Sequence, residues 1–232
     1  MLKSMRRWAS LGCLVMAATA STVSAQDVVS YDDPLEGINR VSFTINETLD
    51  KFILRPVAVG YDYITPAPVQ GAVANFFKNL GEIRNATNSL LQLEFREATV
   101  TTGRFLVNST AGVLGLFDVS SKWGVERQYK DFGMTLARWY VPSGPYLVLP
   151  LLGPATVRST VGLIPDISLD PMTYVTPRSD KNLLQAGNLV NIRTQLLPQE
   201  DLIVGDKYIF LRNAYLQRRA YIITGEKPED DF

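Results

Sequence analysis

The chain has 232 residues, 46% hydrophobic and 20% charged, with 23 basic side chains balancing 23 acidic ones. That is enough for one sizeable globular domain, and without net charge or a basic run it lacks the electrostatic footprint of a nucleic-acid binder. It contains no histidine and one cysteine, Cys13, which excludes Ser-His-Asp and Cys-His catalysis, His-ligated metal and any disulfide within one chain.

Residues 1–25 read as a secretory signal peptide. Lys3, Arg6 and Arg7 supply the positive end, residues 8–20 the apolar segment, and Val23-Ser24-Ala25 a small-residue cleavage site before Gln26. Acylation at Cys13 is the alternative, but the apolar run before it is shorter than such a site wants, and Ser10 stands where such a site wants leucine. Cleavage after Ala25 without a lipid anchor is therefore expected.

Asp33-Pro34-Leu35-Glu36 predicts a helix start, with Asp33 as cap, Pro34 in the first turn and Glu36 closing a capping box. Ile38, Val41, Ile45, Leu49 and Phe52 then recur every three or four residues on one helical face. That stripe suits a core or a membrane surface. Pro56 should end the helix near Leu54, and Thr65-Pro66-Ala67-Pro68 reads as a linker. A second helix has Val69, Val73, Phe76 and Leu80 in phase. Gly81 should separate it from a third carrying Ile83, Ala86, Leu90 and Leu91, and a fourth spans about Glu94 to Asn108.

The centre of the chain, Arg104 to Gly162, is apolar but punctuated. Its longest apolar-plus-glycine run, Ala111 to Phe117, is far short of the roughly 20 residues of a spanning helix. Glycines and prolines interrupt it throughout, so short helices must alternate with tight non-helical segments. One such helix should cover Asp131 to Tyr140. The apolar segment Tyr146 to Leu152 follows, and Tyr146, Leu147, Leu149 and Leu151 are candidate membrane contacts. Gly144, with Pro145 beside it and Pro142 before it, is a candidate hinge.

Pro165 to Pro177 reads as irregular, followed by helices over about Asp180–Leu197 and Asp206–Ile223. The last is rich in Arg and Tyr: Tyr208, Arg212, Tyr215, Arg218, Arg219 and Tyr221. Such a helix suits a boundary between apolar and wet surroundings, or is an ordinary solvated helix with Tyr on its inner edge. Residues 226–232 form a short acidic tail. No hydrolase, nucleotide-binding, redox or zinc motif occurs, so neither catalysis nor a metal or other cofactor is expected. The reading is one mainly α-helical domain, residues 26–225, with strand-like apolar loops and amphipathic helices lying in a membrane interface.

An ordered set of short motifs resembles a known family. It comprises Asp33-Pro34-Leu35-Glu36-Gly37 with Asn39-Arg40, then Asn46, Asp50, Arg55 and Pro56. Phe105, Asn108, Gly112, Gly115 and Asp118 come next, followed by Asp131-Phe132-Gly133 with Thr135-Leu136. Gly144-Pro145-Tyr146-Leu147, Leu149-Pro150, Gly153-Pro154, Arg158, and Tyr215 with Gln217-Arg218-Arg219 complete it. Together they are similar to the MlaA/VacJ proteins, which remove phospholipid from the Gram-negative outer membrane. The resemblance implies a ring-like helical body in the inner leaflet of that membrane, around a channel. It further implies retrograde transfer of mislocalised phospholipid to a periplasmic lipid-carrier protein, docking against a trimeric porin, and a loop near Gly144 that adjusts the channel. Channel polarity is expected from residues that look misplaced among apolar neighbours: Asn108, Asp118, Asp131, Thr135 and Arg158. Each is equally suited to a helix cap or a buried hydrogen-bonded position. A porin-associated periplasmic interaction protein that moves no lipid is the alternative function, and a lipid-modifying enzyme a third.

Overall fold

The computed structural model of this chain describes residues 33–225; the signal peptide, Cys13 and the acidic tail lie outside the described residues. The described part is mainly helical, as expected, with one two-stranded hairpin. Among these residues no helix is long and apolar enough to cross a membrane.

Helix α1 spans Glu36–Leu49. Asp33 Oδ1 accepts the Leu35 N–H at 3.1 Å, but the expected capping box does not form. Glu36 instead turns along the helix and pairs with Arg40 at 2.7 Å, one turn on. Pro56 does not end the helix. A π-helical segment, Asp50–Leu54, leads directly into α2, Arg55–Ile64, and Pro56 falls within the first two positions of α2. A proline in a first turn gives up an N–H that has little use there, and a π segment relieves the clash of its ring with the preceding turn. The side chain of Asp50 anchors this junction by a two-point contact with Arg193, at 2.6 and 2.9 Å.

Only Thr65 and Pro66 separate α2 from α3, Ala67–Leu91. Gly81 does not divide α3; the helix runs through it for 25 residues. A Cβ at Gly81 would stand 3.0 Å from a terminal nitrogen of Arg127, so the glycine leaves room for that guanidinium. Helix α4, Phe95–Thr110, packs back along α3. The turn after it holds Val113, Leu114 and Gly115 at φ 52, 56 and 88°. Two consecutive left-handed non-glycine residues are strained, and Gly115 is required because its Cβ would lie 2.6 Å from Asn79 Cβ.

Two short helices follow, α5 (Val119–Lys122) and α6 (Phe132–Arg138). The apolar segment is a hairpin: β1, Tyr146–Leu149, pairs antiparallel with β2, Gly153–Thr156. Alternation along β1 puts Tyr146 and Val148 inside and leaves Leu147 and Leu149 part-exposed. Two asparagines of α1 hold the hairpin, one at the free edge of β1 and one at its turn. Asn39 donates to Tyr146 O at 3.0 Å and accepts from Val148 N at 2.9 Å; Asn46 donates to Leu149 O at 3.0 Å and accepts from Leu151 N at 2.7 Å. Asn39 thus takes the place of a third strand beside β1, and Asn46, two turns on, ties the hairpin turn to α1.

Helix α7, Val157–Ser168, opens with a capping box between Thr156 and Ser159 and continues through Pro165, where an irregular stretch was expected. Gly162 packs directly on α6: a Cβ there would be 2.5 Å from Gly133 N. A short 3-10 turn, Pro171–Tyr174, leads to α8, Arg178–Leu196, which packs on α2 and α3. After a second 3-10 turn comes α9, Lys207–Thr224, capped at its start by Asp206 and closed by Gly225 at φ 74°.

Burial along these helices is inverted relative to a water-soluble domain. Among the described residues, buried polar side chains outnumber buried apolar ones. Ile38, Val41, Ile45 and Phe52 of the stripe read from the sequence are exposed, as are Leu90, Leu91, Leu151, Leu152, Ile164 and Ile167. The small apolar core is Tyr146, Val148 and Tyr208, with Phe43 edge-on to Tyr208 at 5.5 Å.

Candidate functional site: a polar interior along α3

The interior is organised by one face of α3. Glu82, Asn85 and Asn88 of the helix and its C-cap residue Gln92 recur every three or four residues, and all four are buried. A helix presents such a set as one stripe; here the stripe is polar, and two clusters form along it.

The first cluster lies at Glu82. Its Oε1 accepts from Nε of Arg104 at 3.3 Å and of Arg127 at 3.2 Å, and its Oε2 accepts from Asn85 at 2.8 Å. Arg104, buried like Glu82, also donates to both oxygens of Asp118 at 3.1 Å. Asp118 caps α5 through the Ser121 N–H, and Asn108 bridges the two sides. Its Nδ2 donates to Asp118 Oδ1 at 3.0 Å, and its Oδ1 accepts the Ser120 N–H at 3.0 Å. Burial opposes ionisation of Asp118, but the Ser121 and Asn108 hydrogen bonds and the Arg104 charge outweigh it, so its carboxyl is held below the usual range. Asn108 and Asp118 therefore act here as cap and bridge of a buried ionic cluster.

The second cluster lies at Asn88 and Gln92. Thr135, fully buried on α6, donates to Asn88 Oδ1 at 2.7 Å and accepts from Gln92 Nε2 at 2.9 Å. Asn88 reaches Asp166 of α7 at 3.2 Å, and both Asp166 oxygens accept the Phe132 N–H at 3.1 Å. Burial pushes the Asp166 carboxyl above its usual range. Asp131 caps α6 through the Met134 N–H at 2.8 Å and pairs through both oxygens with Arg219 of α9. Burial again opposes the charge, but the Arg219 bonds, its charge and the Met134 N–H prevail, and the Asp131 carboxyl lies below its usual range. Arg158 donates to Val141 O at 2.8 Å, while its Nε is buried without a partner. Burial, then the neighbouring Arg219 charge, lower its pKa.

Four of the five candidate polar residues thus fall into two clusters, Asn108 with Asp118 and Asp131 with Thr135, and Arg158 adjoins the second through Arg219. Glu82, Asn85, Asn88, Gln92, Arg104 and Asp166 were not anticipated. The helical spacing of α3 is equally visible in its apolar residues, of which Val69, Leu90 and Leu91 are exposed and Val73, Phe76, Leu80, Ile83 and Ala86 half-buried. The Arg/Tyr helix also faces inward. Tyr208 is buried against Asp33, Arg212 lies 5.9 Å from the Tyr208 ring, and Tyr215 hydrogen-bonds Ser159 at 3.1 Å.

The loop candidates separate. Tyr146 is buried at 4% exposure, so it is a core residue and not a membrane contact. Its hydroxyl is pushed up to about 12, first by burial and then by Asp33. Leu151, at the hairpin tip, is 75% exposed. Gly144 holds φ 67°, and its Cβ would lie 2.9 Å from Val157 Cβ. The flanking carbonyls of Ser143 and Pro145 accept the Arg158 and Val157 N–H groups at 3.0 and 3.2 Å. This geometry is that of a turn clamped onto the start of α7. Among the described residues, no group of three or more acidic or cysteine side chains could hold a metal ion.

The comparisons agree with this architecture. The model of the MlaA lipoprotein family matches residues 31–222. The chain is 33% identical over 231 residues to the intermembrane phospholipid transport system lipoprotein MlaA of Escherichia coli K12, covering 96% of this chain and 90% of that one. It is 38% identical over 202 residues to an uncharacterized protein of Rickettsia felis, covering 85% and 80% of the two chains. A solved structure described as the structural basis for maintenance of bacterial outer membrane lipid asymmetry superposes with a TM-score of 0.71 at 34% identity, over 84% of this chain and all of that one. With the family model spanning most of its length, the chain belongs to the MlaA lipoprotein family.

Proposed function

We propose that this protein removes phospholipid from the outer leaflet of the outer membrane and passes it to a periplasmic carrier, maintaining lipid asymmetry. The observation that carries this reading is the inverted burial: charged and amide side chains inside, Ile, Leu and Phe outside. A domain in water gains from the opposite arrangement. A domain lying in one leaflet gains from this one, because hydrocarbon covers its outer side and a polar interior lowers the cost of taking a charged head group past hydrocarbon. Among the described residues no helix is both long and apolar enough to span, which is consistent with residence in one leaflet.

The names of the relatives support the same role. Lipid transfer of this kind breaks no bond, and nothing in the polar interior calls for catalysis. Docking beside a trimeric porin, retrograde direction and removal of the leader after Ala25 belong to the same proposal. The test uses purified protein in vesicles whose outer leaflet carries labelled phospholipid, with an acceptor outside. Movement of intact label to the acceptor, dependent on protein, is expected. Stable membrane binding without movement would replace the proposal with a porin-associated structural role, and chemically altered label would replace it with an enzyme.

A further inference from the structure

Between α3 and α8 lies a cleft of about 240 Å³ that neither polar cluster fills. Lys78, Arg84 and Arg127 line it, with Asp170 as its one carboxylate. Asp170 is partly engaged already, because its Oδ1 accepts the Met172 N–H at 2.9 Å. Phe77, Leu80 and Ile192 supply apolar wall.

Arg84 is the unusual member. Its Nε is buried and has no hydrogen-bond partner. Its guanidinium lies 5.4 Å from the Tyr129 ring, a contact that leaves its donors free. Asp166 interacts with its charge, but the Asp166 oxygens are directed to the Phe132 N–H and Asn88. A buried donor with nothing to bond is rare in folded proteins and costly. Arg127 approaches from the other side. Its Nε is held by Glu82, and its terminal NH2 lies over Gly81. Two guanidinium groups thus meet at a cleft with apolar wall. Arginine recognises phosphate oxygens through its planar fork.

We infer that this cleft binds the phosphodiester of a phospholipid head group, with Arg84 and Arg127 as phosphate ligands and Phe77, Leu80 and Ile192 against the glycerol end. The inference rests on the lipid-moving function proposed above and gives that path a specific holding point. The volume lies below the roughly 300–1,000 Å³ of pockets that enclose a drug-sized ligand, so the cleft takes a head group and leaves the acyl chains outside.

The experiment titrates full-length protein with three probes: dihexanoyl-phosphatidylglycerol, dihexanoylglycerol and inorganic phosphate. The phospholipid is expected to bind, with the other two much weaker. Arg84→Met should weaken it roughly tenfold, the size of one lost charge-assisted hydrogen bond, and Arg84→Lys should restore part of the loss. Ile192→Trp fills the cleft from a half-exposed position and touches no buried charge, so it keeps the test decisive if Arg84→Met does not fold. Unchanged phospholipid affinity in Ile192→Trp overturns the inference, as does equal affinity for dihexanoylglycerol. Binding of inorganic phosphate as tight as that of the phospholipid overturns the lipid assignment. The vesicle assay on the same proteins separates the two claims. If wild type moves lipid and Arg84→Met moves and binds it equally well, only the cleft assignment fails. Wild type that moves no lipid overturns the functional reading.

Discussion

Replacing Asp131 by alanine distinguishes a structural clasp from a lipid-contacting charge. Asp131 does two things at once: it caps α6 through the Met134 N–H and pairs with Arg219 of α9. Losing the cap costs about 1 kcal/mol. Leaving Arg219 buried without its carboxylate costs about 3–5 kcal/mol. Little of this is relieved by water, since the two side chains are only 10% and 13% exposed. The total, roughly 4–6 kcal/mol, should lower the melting temperature in detergent by roughly 10–20 °C for a domain of this size. Asp131→Asn keeps a capping oxygen and should recover about 1 kcal/mol of the loss. The double variant Asp131→Ala with Arg219→Met removes both charges and should recover much more. Acid titration adds a signed check. The folded carboxyl titrates below its usual value, so its contribution is complete above the unfolded value near 4 and is lost as pH falls through the lower folded value. Asp131→Ala should therefore show a shallower loss of stability below about pH 4 than wild type. Lipid transfer abolished in Asp131→Ala at an unchanged melting temperature and unchanged acid profile would refute the clasp.

Gly144→Val forces a β-branched residue to φ 67° and against Val157. Thermal melts should show a loss of about 1–3 kcal/mol with a matched fall in transfer; lost transfer at unchanged stability would instead establish the hinge. Gly162→Val places a side chain within 2.5 Å of the α6 backbone, so circular dichroism and expression should report loss of the native fold. Leu151→Asp and Leu152→Asp at the exposed hairpin tip should shift the protein from the membrane toward the soluble fraction in porin-deficient cells without changing its circular dichroism. Unchanged fractionation would remove the tip from the membrane contact.

Periodicity located α1 and α3, and α2, α5 and α7 were not legible in it. The spacing of Ile38, Val41 and Ile45 defined α1, and the helices expected from Asp131 and Asp206 start at those residues. The two breaks assigned to Pro56 and Gly81 were wrong for opposite reasons. A π-helical segment absorbs the proline, and Gly81 sits in α3 because Arg127 lies across it. Both causes depend on neighbours that local propensity does not see.

The sequence determined which residues share a face, because that follows from 3.6 residues per turn. Only the tertiary structure decided which face is inside. The stripe Glu82, Asn85, Asn88 and Gln92 has the same spacing as an apolar core stripe, and it is buried because Arg104, Arg127, Thr135 and Asp166 arrive from α4, the α5–α6 connection, α6 and α7 to satisfy it. A buried polar group is stable only when its partners are present, and those partners lie far away along the chain. The apolar stripe of α1 was equally legible, but its spacing suits a core or a membrane surface, and only the packing leaves Ile38, Val41, Ile45 and Phe52 exposed.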